Sequence, residues 1–341
     1  MVYIQLVRRG ALWVAALSIA LPPVGASSAA AAPGASPASV PGTPPAPAAS
    51  PASVTLSFRD AFFVHGHAVS VPKRPMRVVG VVRPFVVGQS VQVRAFIRGR
   101  MFDSDDVGVV PAAGGGHGTF TDLLSSPGVG EVTIEAFHAQ TPAQRSFLVR
   151  ASFSALDEHV SFGSTGPFVA LVQQRLAALH FYLPQTGGYD QGTGLAIDAY
   201  HRLLGSGTSQ LLDGRTISRL LDGSGTFQIR YPKDGKHVEG DIADQLLALI
   251  DGSKVMAIYP ISSGKPSTPT ILGRFRVYQK DVGYLPDGMY YSNFFYGGYA
   301  IHGYNPAPDY PASHGCMRLP IVDAISVYSW VDIGTRVDVY L

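Results

Sequence analysis

Residues Ser313-His314-Gly315-Cys316-Met317-Arg318-Leu319 hold the single cysteine of a 341-residue chain. An ordinary thiol is only a few per cent ionised at neutral pH, so a cysteine that attacks carbonyls needs a base nearby. Two histidines are available: His314, two positions before the cysteine, and His302, fourteen before it. His302 closes an apolar run, Gly298 to Ile301, and is carried by a different segment from the thiol. A rigid strand end is the better platform for a base. His302 is therefore expected to take the proton of Cys316 and return it to the leaving group, with His314 as a local orienting group. Gly315 allows close approach and unusual φ. The amides of His314, Gly315 and Cys316 are candidate oxyanion donors, each such donor contributing about 2.7–4 kcal/mol. Arg318 offers a planar fork for a substrate carboxylate, or equally a framework salt bridge.

Other readings of the same residues are weaker. Zinc accepts His and Cys ligands, yet the spacing of His302, His314 and Cys316 fits no common zinc motif and no acidic base lies beside them. No metal and no cofactor are expected. A buried structural cysteine is the bland alternative, but it would sit in an apolar run, not between Gly315 and Met317 after Ser-His. The chain opens with Arg8-Arg9, an apolar run Ala11 to Leu21, then Pro22-Pro23 and small residues, the pattern of a secretory signal peptide over 1–32. A retained N-terminal anchor is the alternative. The run is shorter than the roughly 20 residues a membrane span needs, and no later segment is long and apolar enough, so no transmembrane span is expected in the mature chain. An exported protein normally pairs its cysteines, which makes a lone one a candidate reactive thiol. Net charge is +2 and charged residues are 15% of the chain. No basic stripe argues for nucleic acid.

The elements that must position this pair follow in order. Residues 33–53 are almost all Ala, Pro, Ser and Gly, a semi-extended linker. Residues 54–153 alternate with period two in runs such as Val91 to Ile97 and Val132 to Phe137, separated by Gly- and Pro-rich turns. This pattern predicts a β-sandwich. His65, His67, His117 and His138 show no ligand-like grouping there. Residues 159–223 turn helical: Pro167 opens one helix, a second starts near Thr193, and a third follows Asp213-Gly214, making a small three-helix bundle. From 225 to 341 the chain is β-rich again. Phe227, Ile229 and Tyr231 alternate; Asp251-Gly252 marks a hairpin. Ser262 to Thr270 is a loop, and Gly273 to Tyr278 a strand. Tyr284 to Tyr299, with seven Tyr or Phe residues, reads as a binding loop. Ile321, Ala324, Ile325 and Tyr328 mark a short helix before a terminal strand, Val337 to Leu341. The fold class is multidomain and mainly β.

Three resemblances attach to these residues. The β region resembles an immunoglobulin-like spacer. Phe168 to Leu176, Gly188-Tyr189-Asp190 and Ile197 to His201 resemble a peptidoglycan-binding domain of type 1, with Tyr200-His201 where that pattern usually has Phe-Gln. Ile301-His302-Gly303 followed by Ser313 to Leu319, together with Ser267-Thr268-Pro269-Thr270 and Gly273-Arg274-Phe275, resembles the L,D-transpeptidase catalytic domain of YkuD type. That resemblance implies that Cys316 attacks a peptidoglycan stem peptide, releases D-alanine and passes the acyl group to an amine of a neighbouring stem. It also implies that the Gly303 carbonyl orients the His302 ring, and that Gly297, Gly298 and Tyr291 contact substrate. Covalent inhibition by carbapenem-type β-lactams, and a place in cell-wall biogenesis and cell shape, are implied in the same way. An L,D-carboxypeptidase, in which water takes the acyl group, uses the same residues. A non-catalytic wall-binding protein is the third reading.

Overall fold

The computed structural model describes residues 49–341; the segment 1–32 expected to be a signal peptide and nearly all of the expected linker lie outside the described residues. Pairing begins just before the expected end of the linker, because Ser50 accepts from Arg145 N and donates to Ala143 O. Strands β1 (Ser53–Phe58), β2 (Phe62–Val64), β3 (His67–Ser70), β4 (Met76–Arg83), β5 (Ser90–Ile97), β6 (Arg100–Gly108), β7 (Val110–Pro111), β8 (Gly118–Leu124), β9 (Gly130–His138) and β10 (Phe147–Ala155) follow. They form two sheets, β1-β4-β8-β7 and β2-β3-β10-β9-β5-β6. Alternation explains the pairing of faces: Val91, Val93 and Ala95 of β5 and Val132, Ile134 and Ala136 of β9 all point inward, against Val78, Val82 and Phe120 of the other sheet.

Three helices come next: α1 (Pro167–Ala178), α2 (Gln191–Leu203) and α3 (Gly214–Leu221). Asp190 caps α2 by accepting from Thr193 N at 2.9 Å, which starts the helix two residues before the expected Thr193. Asp213 caps α3 in the same way through Thr216 N. The helices are not a self-contained bundle. Leu171, Leu176, Ile197, Tyr200 and Leu220 share one core with strand residues of the C-terminal region, Leu246, Ala248, Ile250, Val255 and Ile258.

That region contains β11 (Lys236–Asp241), β12 (Leu246–Asp251), β13 (Lys254–Pro260), β14 (Gly273–Arg276), β15 (Gln279–Tyr284), β16 (Tyr290–Tyr296), β17 (Tyr299–Gly303), β18 (Met317–Leu319), α4 (Ile321–Trp330) and β19 (Arg336–Tyr340). One sheet runs β13-β12-β11-β19-β14 and a second β15-β16-β17-β18. Val238, Leu247, Leu249, Val337 and Val339 of the first meet Phe295, Ile301, Met317 and Leu319 of the second, with Val327 of α4. Two expectations fail here. Phe227 to Tyr231 alternates but is not a strand: Arg230 N and Tyr231 N donate to the buried Glu239 carboxylate instead of to a neighbouring strand. Tyr284 to Tyr299 is not mainly a loop, because its aromatic residues build β16 and the start of β17 and pack on one another. No helix among the described residues is long and apolar enough to cross a membrane.

The helices are fastened to the C-terminal region by Arg202. Its guanidinium pairs with Asp198 at 2.6 Å, both side chains 5% exposed, and donates at 2.9 Å to the carbonyls of Gln245 and Ile261. Burial still holds the Asp198 carboxyl above its ordinary range, so the attraction of Arg202 does not fully offset desolvation. Removing one member of such a pair strands the other. Arg202→Ala is expected to lower unfolding free energy by about 3 kcal/mol, read as a fall in the denaturation midpoint.

Candidate active site

Strands β17 and β18 run parallel, with Ile301 opposite Met317 and His302 opposite Arg318. Extending that register by one residue brings Cys316 alongside Ala300. Side chains alternate along a strand, so His302 and Cys316 share one face while Ile301 and Met317 point into the core on the other. This explains the sequence spacing physically. The apolar neighbours of the pair anchor it, and the polar pair faces a cleft of about 250 Å3.

His302 is 2% exposed, and its Nδ1 donates to the Gly303 carbonyl at 2.9 Å. That bond leaves Nε2 as the basic nitrogen. Burial lowers the His302 pKa to about 4, against the raising effect of the Gly303 bond; the Arg318 charge lowers it further. The ring is neutral, and able to accept a proton, at all pH values above about 4.

Cys316 is half-buried. Its Sγ lies 3.5 Å from the Gly298 carbonyl, to which it donates, and accepts from Ala300 N at 3.4 Å. Burial pushes the thiol up, with the Ala300 bond working the other way. In the free protein burial favours the uncharged form of both groups. No hydrogen bond joins Sγ to His302 among the described residues. Transfer requires Sγ and Nε2 to come within hydrogen-bond reach, and such bonds commonly tighten only with substrate present.

The loop before Cys316 is fixed by Ser313, which is fully buried. Its Oγ donates to the Cys316 carbonyl at 2.7 Å and accepts from Gly315 N at 3.0 Å. Ser262 to Thr270 clamps this loop from outside: Lys265 N and Thr268 Oγ1 donate to the Ser313 carbonyl, and Ser262 exchanges backbone bonds with Arg318.

The family of the L,D-transpeptidase catalytic domain, YkuD, matches residues 235–339, which contain β11, the whole Cys316 loop and most of β19. Residues 235–339 are an L,D-transpeptidase catalytic domain. The chain is 37% identical over 107 residues to a Bacillus subtilis (strain 168) protein bearing the name L,D-transpeptidase YkuD; this covers 30% of the chain and 65% of that protein. Among solved structures it is similar to the L,D-transpeptidase of Xylanimonas cellulosilytica DSM 15894, at 30% identity over 54% of this chain and 98% of that one, TM-score 0.49. It is also similar to the catalytic domain of the E. faecium L,D-transpeptidase acylated by ertapenem, at 28% identity over 31% of this chain and 98% of that one, TM-score 0.27.

Within this L,D-transpeptidase domain the remaining sequence candidates are sorted by geometry. Gly298 and Arg318 line the cleft with His302, Ser313, His314 and Cys316. Gly297 lies at the tight turn before β17, with φ +48 and its carbonyl bonded to Tyr278. Tyr291 is not brought to the cleft: its φ of +50 turns the ring onto Tyr328 of α4, 5.0 Å between centroids. His314 is exposed and does not orient Cys316. Gly315, at φ +121, breaks the period-two path, and His314 Nε2 lies 3.2 Å from Lys265 Nζ. A Cβ at Gly315 would come within 2.4 Å of the Tyr299 ring, so glycine is favoured on two counts. The Gly315 amide is spent on Ser313, which removes it from the oxyanion candidates. The amides of His314 and Cys316 have no partner among the described residues and remain. Arg318 meets no carboxylate among the described residues; its guanidinium lies 3.9 Å from the Tyr304 ring centroid and donates to the Ala312 carbonyl. That disfavours the framework salt bridge and leaves its fork available. No group of three or more His, Cys, Asp or Glu that could hold a metal occurs among the described residues.

Sequence reasoning missed Asp287, Met289 and Tyr304 as cleft residues. Tyr304, two residues past His302, carried the one available signal. Ser313→Ala removes both bonds that fix the loop at Cys316. It is expected to cost about 1–3 kcal/mol of stability and to slow adduct formation at Cys316 roughly tenfold, measured by thermal melt and time-resolved intact mass.

Proposed function

We propose that the chain is a peptidoglycan L,D-transpeptidase acting outside the cytoplasm, with Cys316 as nucleophile and His302 as base. Sγ gives its proton to His302 Nε2 and attacks the carbonyl of the residue-three to D-alanine bond of a stem peptide. The developing oxyanion meets the free amides of His314 and Cys316. His302 protonates the departing D-alanine nitrogen, and the thioester then passes to an acceptor amine. Arg318 holds a substrate carboxylate, Gly298 bounds the acyl site, and Gly297 shapes the turn beside it. The observation that carries this reading is the shared face of β17 and β18, on which an accessible thiol and an imidazole of fixed tautomer look into one cleft.

The same accessible thiol is the reason to expect covalent labelling by carbapenem-type β-lactams, whose strained amide presents a reactive carbonyl to it. The segment 54–153 serves as a spacer and 159–223 as a peptidoglycan-binding-like unit seated on the catalytic domain, behind a signal peptide and linker. The decisive experiment supplies a tetrapeptide donor and an amine acceptor and analyses the products. Dimer and free D-alanine are expected. Tripeptide with D-alanine and no dimer would establish the L,D-carboxypeptidase instead, and no product at all would leave only the wall-binding reading.

A further inference from the structure

Cys316, His302 and Arg318 leave one charged side chain of the cleft without a task. Asp287 sits at the tip of the β15–β16 hairpin, which is built to hold it. Leu285 N donates to the Met289 carbonyl at 2.8 Å, Gly288 N to the Leu285 carbonyl at 2.9 Å, and Met289 N to Asp287 Oδ1 at 3.2 Å. Gly288 takes φ +85 there and packs beside Tyr304. The tip places Asp287 in the same cleft wall as His302, Cys316 and Arg318.

No cation forms an ion pair with Asp287 among the described residues; Arg318, which lines the same cleft, is stacked on Tyr304. A carboxylate beside a cysteine nucleophile opposes formation of the thiolate, and the Asp287 charge does raise the Cys316 thiol. It therefore works against the first half of the reaction. Its sign suits the second half, in which a positively charged amine must approach a neutral thioester.

Resting on the transpeptidase reading above, we propose that Asp287 draws the acceptor's ammonium onto the acyl-enzyme and so favours aminolysis over hydrolysis. The free Oδ2 of Asp287 receives the ammonium. The nitrogen gives one proton to neutral His302 and attacks the thioester carbonyl. The C–N bond forms as the C–S bond breaks, the second departing nitrogen proton ends on Sγ, and His302 releases its proton to solvent. The substrate class is a primary amine that is protonated in solution.

The test measures the ratio of dimer to tripeptide against acceptor concentration for the full chain, Asp287→Asn and Asp287→Glu. Asp287→Asn is expected to raise the acceptor KM and lower the ratio roughly three- to tenfold, as loss of one charge-assisted contact does. Asp287→Glu restores most of the ratio, which a merely structural role would not predict. Added salt of about 0.5 M lowers the wild-type ratio by screening. An unchanged ratio in Asp287→Asn, or a wild-type ratio indifferent to salt, overturns the proposal while leaving the transpeptidase reading intact. Absence of any acyl adduct on the wild-type chain removes that reading and this proposal together.

Discussion

Cys316→Ala is expected to give a folded protein that takes no acyl adduct and turns over donor at least about 10^4-fold more slowly, as loss of a nucleophile does in other acyl-transfer enzymes. The thiol is half-buried and its bonds, to Gly298 and Ala300, are long sulfur contacts of 3.5 and 3.4 Å. Little stability rests on them, so the melting temperature moves by only a few degrees. Intact mass after incubation with a carbapenem reads the first claim: one adduct on the wild type, none on the variant. An adduct persisting on Cys316→Ala would place the nucleophile elsewhere. Unchanged wall function in the same variant would favour the non-catalytic reading.

His302→Gln should slow acylation by about 10^3-fold, within the usual range for losing a positioned base. The more telling difference lies in the pH profile. In the wild type, burial lowers His302 to about 4, so the base-competent neutral ring persists as pH falls until about 4. Activity is therefore level through the neutral range and declines tenfold per unit only below about pH 4. Without the imidazole, the thiol must ionise into solvent, and burial has raised its pKa. The variant's rate should climb tenfold per unit through the neutral and alkaline range. A wild-type acid limb near 6 to 7, or a level profile in His302→Gln, would contradict a neutral buried base. The depressed pKa also couples to folding: the unfolded chain binds the His302 proton near 6.5 and the folded chain does not. Stability contributed by the neutral ring is present above pH 6.5 and is lost as pH falls toward 4.

The residues from which this site's chemistry is proposed were legible in the sequence because they are local. A lone cysteine between Gly315 and Met317, a histidine closing the run Tyr299 to Ile301, and the Gly303 carbonyl one residue later all sit within short stretches whose backbone is regular. Strand alternation fixes the faces of His302 and Cys316 once β17 and β18 are paired. Likewise the alternating runs of β5 and β9, the Pro167 start of α1 and the Asp251-Gly252 hairpin of β12 and β13 announce their own elements.

Tertiary structure alone decided what depends on partners distant in the chain. Whether Phe227 to Tyr231 pairs as a strand turned on a buried carboxylate, Glu239, that no period reveals. Gly315 at φ +121 sent His314 to solvent, although alternation would have put it beside the thiol. Tyr291 went to α4, and the hairpin tip brought Asp287 into the cleft from about thirty residues upstream of the cysteine. Even the ionisation tendency of Cys316 and His302 was set this way. The residue types name a thiol and an imidazole, but burial favours the neutral form of each, and burial is a property of the packed chain rather than of any segment of it.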